Sequence, residues 1–242
     1  MAALMFYEDV AALDRELHRD LKLRPLANLS FAAAAPAVPI VAGEFADVAR
    51  EYPIAFLPRQ RGGLLPVALT GTGDRRNLFV DAKGQWNARY VPAFVRRYPF
   101  VFAETGTDRL TVCIDETWPG FDEEEGEALF DADGEPSPML QGVLDMLAGY
   151  QRQVAFTEGF AARLAAAGVL TEATAHADLA DGRTLDLQGI LVVDEAKFRA
   201  LPDATIKEWF ASGELGLVYA HLMSLGNLLE LARRLPASAA PA

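Results

Sequence analysis

The 242-residue chain has one cysteine, three histidines, and 22 basic side chains against 34 acidic ones. A lone cysteine, Cys113, excludes an intramolecular disulfide framework and a thiolate zinc cage. Its setting, Leu110-Thr111-Val112-Cys113-Ile114, reads as a strand, so Cys113 is expected as a small buried hydrophobe. The net charge of -12 leaves too little clustered Lys and Arg to hold a nucleic-acid backbone or an anionic membrane surface. The first ten residues lack a basic segment and already carry Glu8 and Asp9, so no secretory signal is expected. The most apolar early stretch, Phe31 to Ala42, is broken by Pro36 and Pro39. It is too short for a membrane helix of about 20 residues. These absences point to a cytoplasmic protein with no nucleic-acid partner and no membrane insertion. Export by a route without a cleaved signal stays open.

Several motifs are missing as well. Gly71-Thr72-Gly73 has Arg76 where a dinucleotide fingerprint needs its third glycine, and no phosphate-binding loop or nucleophile elbow is present. Asp131-Ala132-Asp133-Gly134-Glu135 looks like the start of a calcium loop, but Pro136 stands where the turn glycine belongs and Gly142 where the bidentate Glu belongs. A solvated acidic turn before a helix cap at Ser137 is expected instead.

What is present is the composition of a globular chain, 51% hydrophobic and 23% charged. Residues 6–22 suit a short helix or an irregular arm. Gly43 to Glu51 suits one short helix with Phe45 and Val48 on one side. Strands are predicted over 52–58, 64–70, 77–81, 100–104 and 109–115, with a turn at Gly71-Thr72-Gly73-Asp74. A short helix opens at Pro92. From Ser137, apolar residues recur at three- and four-residue spacing to Leu164, which predicts a long helix stopped at Gly168. Asp181-Gly182 between extended segments predicts a hairpin, and Leu185, Leu187, Gly189, Leu191 and Val193 alternate as a half-buried strand should. Two short helices, 194–200 and 203–212, and a last helix over 214–235 follow. The fold class is α+β: an antiparallel sheet with short helices in the N-terminal half, long helices plus a β-hairpin in the C-terminal half. The chain reads as one domain over 1–242, with a strand-rich part at 24–118 and a helix-rich part at 137–235.

The most informative cluster is basic. Arg59, Arg61, Arg75, Arg76, Arg89, Arg96, Arg97 and Arg109 fall in the strand-rich part, interleaved with Trp86, Tyr90, Phe94, Tyr98 and Phe100. Arg with aromatic residues makes a recognition surface for a carboxylate, a phosphate or a peptide. The competing reading pairs these arginines with the surplus acids. The candidate ligand-binding set is Arg59, Arg61, Trp86, Arg89, Tyr90, Arg96 and Arg97, with His221 and Ser224, one helical turn apart, as a second element able to touch one ligand group. His176, Asp178 and His221 have the order of a two-His-one-carboxylate iron site, with Arg233 or Arg234 for a co-substrate carboxylate. An oxygenase barrel would hold both histidines on strands, and His221 lies in a helical pattern. No metal and no cofactor are therefore assigned.

Tyr52-Pro53-Ile54, Trp86-Asn87-Ala88-Arg89-Tyr90-Val91-Pro92, Arg96-Arg97-Tyr98-Pro99-Phe100, Leu129-Phe130-Asp131-Ala132-Asp133-Gly134, Leu187-Gln188-Gly189 and Tyr219 to Leu225 together resemble the SapC family of bacterial proteins, over residues 20–235. The resemblance implies an origin among surface-layer loci. It also implies relatives beside genes for outer-membrane receptors, flavin-type halogenases and iron-dependent oxygenases. It carries over no catalytic residue. The expected role is a non-catalytic binding or accessory protein for a peptide, protein or small carboxylate ligand, with a homo-oligomer left open. An iron-dependent oxygenase and a surface-layer structural protein are the alternatives.

Overall fold

The computed structural model describes residues 4–25, 28–60, 62–72, 76–104, 110–178 and 184–235. The chain opens with β1 (Val10–Ala12), β2 (Lys22–Leu23) and β3 (Ala37–Pro39), then α1 (Phe45–Val48), β4 (Ile54–Pro58) and β5 (Leu64–Leu69). It continues through α2 (Ala93–Arg96), β6 (Phe100–Glu104), β7 (Leu110–Asp115), β8 (Phe121–Asp122) and β9 (Glu127–Ala128). The last part holds α3 (Pro138–Ala166), β10 (Leu170–Asp178), β11 (Thr184–Val193), α4 (Glu195–Arg199), α5 (Asp203–Ser212), α6 (Glu214–Ser224) and α7 (Leu228–Arg233). The class is mixed α+β with antiparallel sheets, as the patterning predicts.

The largest sheet has the order β10-β11-β4-β5-β3, and two three-stranded sheets have the orders β1-β7-β6 and β8-β2-β9. The large sheet therefore joins the C-terminal hairpin to strands from the first third of the chain. Its core gathers Phe45, Tyr52, Phe56, Val67, Phe160, Leu164 and Val218.

Helix α3 begins where Ser137 Oγ accepts the Leu140 N–H at 3.2 Å, with Pro138 in the first turn. It ends at Gly168, whose φ of 67° suits only glycine comfortably. Its N-terminal half buries Leu140 and Leu147 against Phe100, Ile114 and Leu129, and its C-terminal half buries Phe160 and Leu164 in the main core. One helix thus spans two cores. Cys113 is buried on β7, as expected.

Three readings are corrected. Residues 77–81 form no strand, only an isolated bridge from Val80 to Trp86. The Asp81 carboxylate accepts the N–H groups of Lys83 and Gln85 and folds the backbone into a turn. The N-terminal arm takes the irregular one of its two expected forms: it holds β1 and then a turn, in which Asp14 similarly captures the N–H groups of Glu16 and Leu17. Alternation along β11 breaks at Gly189 (φ 70°), where a bulge sets Leu187 and Ile190 both inward. The last helix runs from Glu214 to Arg233 but is not uniform: α6 ends at Ser224, whose Oγ donates to the His221 carbonyl at 2.6 Å, and a 3-10 turn over Leu225–Asn227 leads into α7. Such side-chain competition for a backbone carbonyl loosens regular helix geometry. The turns expected at Gly73-Asp74 and Asp181-Gly182 lie outside the described residues.

The run Glu214–Arg233 is long and apolar enough to cross a membrane by composition, with a mean hydropathy of 1.3. Here it passes through a 3-10 turn, buries Glu214 against Arg163, and carries His221 and Ser224 into the core.

Candidate functional site: an anchored arginine and aromatic loop

The segment Trp86 to Arg97 crosses from the Asp81 turn into α2, and buried groups fix its backbone. Trp86 Nε1 donates to Tyr52 Oη at 2.8 Å, and Tyr52 Oη donates to the Tyr90 carbonyl at 2.5 Å. Burial pushes the Tyr52 phenol up, so it stays a donor. The Glu51 carboxylate accepts the N–H of Arg89 and, at 2.9 Å, the N–H of Tyr90. Glu44 lies beneath, 5% exposed, and accepts from Val41 N–H (3.0 Å), Ala93 N–H (2.6 Å) and Tyr90 Oη (2.8 Å). Burial, then the Glu44 charge, raises the Tyr90 phenol above its ordinary value.

The arginines divide by environment. Arg89 is exposed, and no carboxylate pairs with it among the described residues. Arg96 is exposed too: its Nε donates to the Val91 carbonyl, its Nη2 reaches Tyr90 Oη at 3.4 Å, and its guanidinium lies 5.7 Å from the Tyr90 ring centre. No direct acid neutralises it among the described residues; Glu44 reaches it only through Tyr90. Arg97 turns inward, with its guanidinium 4.1 Å from the Phe94 ring centre and 5.1 Å from that of Tyr150. Its role is packing and charge in the interior. Arg59 is paired with Glu158 at 2.6 Å. Arg59 and Arg97 both act on Tyr150, yet burial outweighs them and pushes that phenol up to about 12. Arg61, Arg75 and Arg109 lie outside the described residues.

Trp86, Arg89 and Tyr90 thus lie on one short loop and Arg96 at the end of the α2 helix that follows it, whereas Arg97 turns inward and Arg59 pairs with Glu158. Sequence reasoning missed Glu44, Glu51, Tyr52 and Tyr150, which hold that loop or line its base. Glu44 left one signal: a lone acid inside the apolar run from Phe31 to Phe45 needs buried donors if it is to be stable there.

His221 and Ser224 do not reach a ligand. Both are fully buried behind β4. His221 Nε2 accepts the Val193 N–H at 3.0 Å, which places the proton of the neutral ring on Nδ1. Burial lowers its pKa to about 4, against an opposing pull from the Ile54 backbone. Ser224 Oγ accepts the Ile54 N–H at 2.9 Å while donating to His221. The pair clamps β4 and β11 to α6, so the expected ligand contact is replaced by a structural one. Ser224→Ala leaves the Ile54 N–H unsatisfied in a dry core and is expected to cost roughly 1–3 kcal/mol in urea unfolding.

Among the described residues, no three His, Cys, Asp or Glu side chains form a group able to hold a metal. His176 is exposed on β10 and His221 is buried with Nε2 already committed, so these two do not share a ligand position. The side chain of Asp178 lies outside the described residues. Asp131 Oδ1 accepts the N–H groups of Asp133 and Glu135, which is the acidic turn expected. A separate cleft of about 510 Å³ opens on the large sheet, lined by Leu57, Leu69, Leu187 and Ile190 with Asp186 and Gln188 at its polar side. It shares no residue with the arginine loop.

A family model described as SapC matches residues 13–231. The chain belongs to the SapC family. No curated protein and no solved structure matches it. Two of the segments that carry the SapC resemblance now have physical roles. Trp86 to Pro92 is the anchored loop, and Tyr219 to Leu225 brings His221 and Ser224 to the core.

Proposed function

We propose that this SapC protein is a non-catalytic binding or accessory protein that recognises a carboxylate-bearing peptide or protein segment at the Arg89–Arg96 loop. Its setting is the cytoplasm, beside a bacterial transport, surface or peptide-modification system, the role that family membership and the sequence pattern favour. One observation carries the reading. In a chain of net charge -12, the exposed Arg89 and Arg96 have no carboxylate of their own among the described residues. A guanidinium left open on a rigid base is prepared for a planar, bidentate acid partner. The base is rigid because Glu44, Glu51, Tyr52 and Trp86 hold the loop from below. Arg96 against Tyr90 and the neighbouring Trp86 add aromatic surface of the kind that anchors peptides.

The test is a scan of immobilised acidic peptides, with hits quantified by fluorescence anisotropy. Arg89→Ala/Arg96→Ala is expected to weaken binding by tenfold or more, a loss of about 1.4 kcal/mol or above. Its thermal midpoint should stay at the wild-type value, because both side chains are exposed. Arg50→Ala, an arginine paired with Asp47 at 3.2 Å, serves as the control and should bind normally. Undiminished binding by the double variant removes the proposal.

A further inference from the structure

The two longest strands, β10 and β11, close one side of the large sheet, and β10 is its edge. Among the described residues, no strand pairs with the outer side of β10. Leu170 to Asp178 contains neither Pro nor Lys, the residues that most often blunt such an edge. The hydrogen-bond phase tells which backbone groups face out. Asp194 N–H donates to the Val169 carbonyl at 2.8 Å, whereas Val193 N–H turns away to His221. The phase alternates along an antiparallel pair. Val169, Thr171 and Ala173 therefore face β11, and Glu172 and Thr174 turn their N–H and C=O groups outward. The side chains of Glu172, Thr174 and His176 are exposed.

We infer that β10 pairs antiparallel with β10 of a second copy, about a two-fold axis at Thr174. Such a symmetric pair can centre on an outward-facing residue or on the residue between two of them, and the choice of centre decides the side-chain partners: an axis at Ala173 sets Glu172 against the partner's Thr174, and one at Ala175 sets Thr174 against the partner's His176, so neither brings Glu172 opposite an imidazole. An axis at Glu172 sets two like charges opposite each other, which is unfavourable. An axis at Thr174 sets Thr174 against its own copy and Glu172 against the partner's His176, and by symmetry does so twice. Thr–Thr and acid–base pairs of this kind stabilise a sheet. Asp186, exposed and across from His176 on β11, adds a second acid beside the imidazole. His176 then lies between an acid of its own chain and Glu172 of the partner. The result is one continuous sheet made from two five-stranded ones, closed by its own symmetry so that neither β10 edge stays open.

The full chain is measured by sedimentation equilibrium over a dilution series. The expected result is twice the chain mass at high concentration, falling to the chain mass on dilution. Thr174→Pro removes the central outward N–H, a change that an edge strand tolerates, and should give the chain mass throughout with an unchanged circular dichroism spectrum. Glu172→His sets histidine against histidine and should weaken association about tenfold. Glu172→His/His176→Glu swaps the partners while keeping each acid opposite an imidazole, and should return association to the wild-type level. A wild-type protein that holds the chain mass at every concentration overturns the inference. So does a dimer that survives Thr174→Pro, or a natively folded double swap that fails to recover association.

Discussion

Between pH 6.5 and pH 4 the protein is expected to lose about 3 kcal/mol of stability through His221 alone. The imidazole is fully buried and its pKa falls to about 4 in the folded state, from about 6.5 when exposed to water. Above pH 6.5 both states carry a neutral ring and the group contributes nothing to the pH dependence. As the pH falls below that value the unfolded chain takes up a proton that the folded chain refuses, so the unfolded state gains. The loss grows until the folded pKa is reached and then levels off. Asp115 acts in the same sense at lower pH. It is buried, which raises its pKa, but hydrogen bonds from the N–H groups of Glu8, Asp9 and Thr117 and the hydroxyls of Thr117 and Tyr98 prevail and hold it below the ordinary carboxylate range. Its stabilisation is present above that range and is lost as the pH falls through the depressed value. Urea titrations at pH steps from 7 to 4, on the wild type and on His221→Gln, separate the two. Gln offers an acceptor for the Val193 N–H but cannot take up the proton, so the slope between pH 6.5 and 4 should flatten. A slope that persists unchanged in His221→Gln rules His221 out as its source.

The second large effect is expected at Glu44. Truncation to Ala strands the buried N–H groups of Val41 and Ala93 and removes the acceptor of Tyr90 Oη. Unmet buried donors cost roughly 1–3 kcal/mol each, so Glu44→Ala is expected to destabilise the protein by roughly 3–4 kcal/mol. The same change frees Tyr90 and the first turn of α2, which hold Arg96 in place. Acidic-peptide binding should therefore weaken even at temperatures where the variant is fully folded. Glu44→Gln keeps one carbonyl oxygen for these donors and should recover part of the stability. Calorimetry and anisotropy on both variants check the two claims, and a Glu44→Ala protein as stable as wild type removes this account of the loop.

Legibility in the sequence followed the range of the interactions. Helix α3 was readable because its stripe, its Ser137 cap, its Pro138 and its Gly168 stop all lie within or beside the helix itself. The hairpin strands β6 and β7 were readable because apolar runs with a polar break between them need few neighbours to declare themselves. The strand expected at 77–81 was misread for a local reason as well, since an Asp side chain competing for backbone N–H groups is invisible to a hydrophobicity pattern. The arginine loop was half readable. Its residue types stood out against the acidic background, but which guanidinium points outward depends on contacts across the fold. Arg96 and Arg97 are adjacent in sequence, yet one lies on Tyr90 at the surface and the other between Phe94 and Tyr150.

By itself the sequence determined the fold class, the lack of a disulfide framework, the long helix and the SapC membership, because each rests on composition, on local periodicity or on a pattern spread over the whole chain. Only the tertiary structure decided that His221 and Ser224 are buried against β4 and β11, that Glu44 anchors the segment carrying Tyr90 and Arg96, and that β10 lies at the margin of the large sheet among the described residues. Each of these depends on partners 28 to 170 residues apart or on which strand lies at the margin. A polar side chain carries the same letters whether it meets water, a ligand or a buried backbone N–H, and only packing settles which of the three it finds.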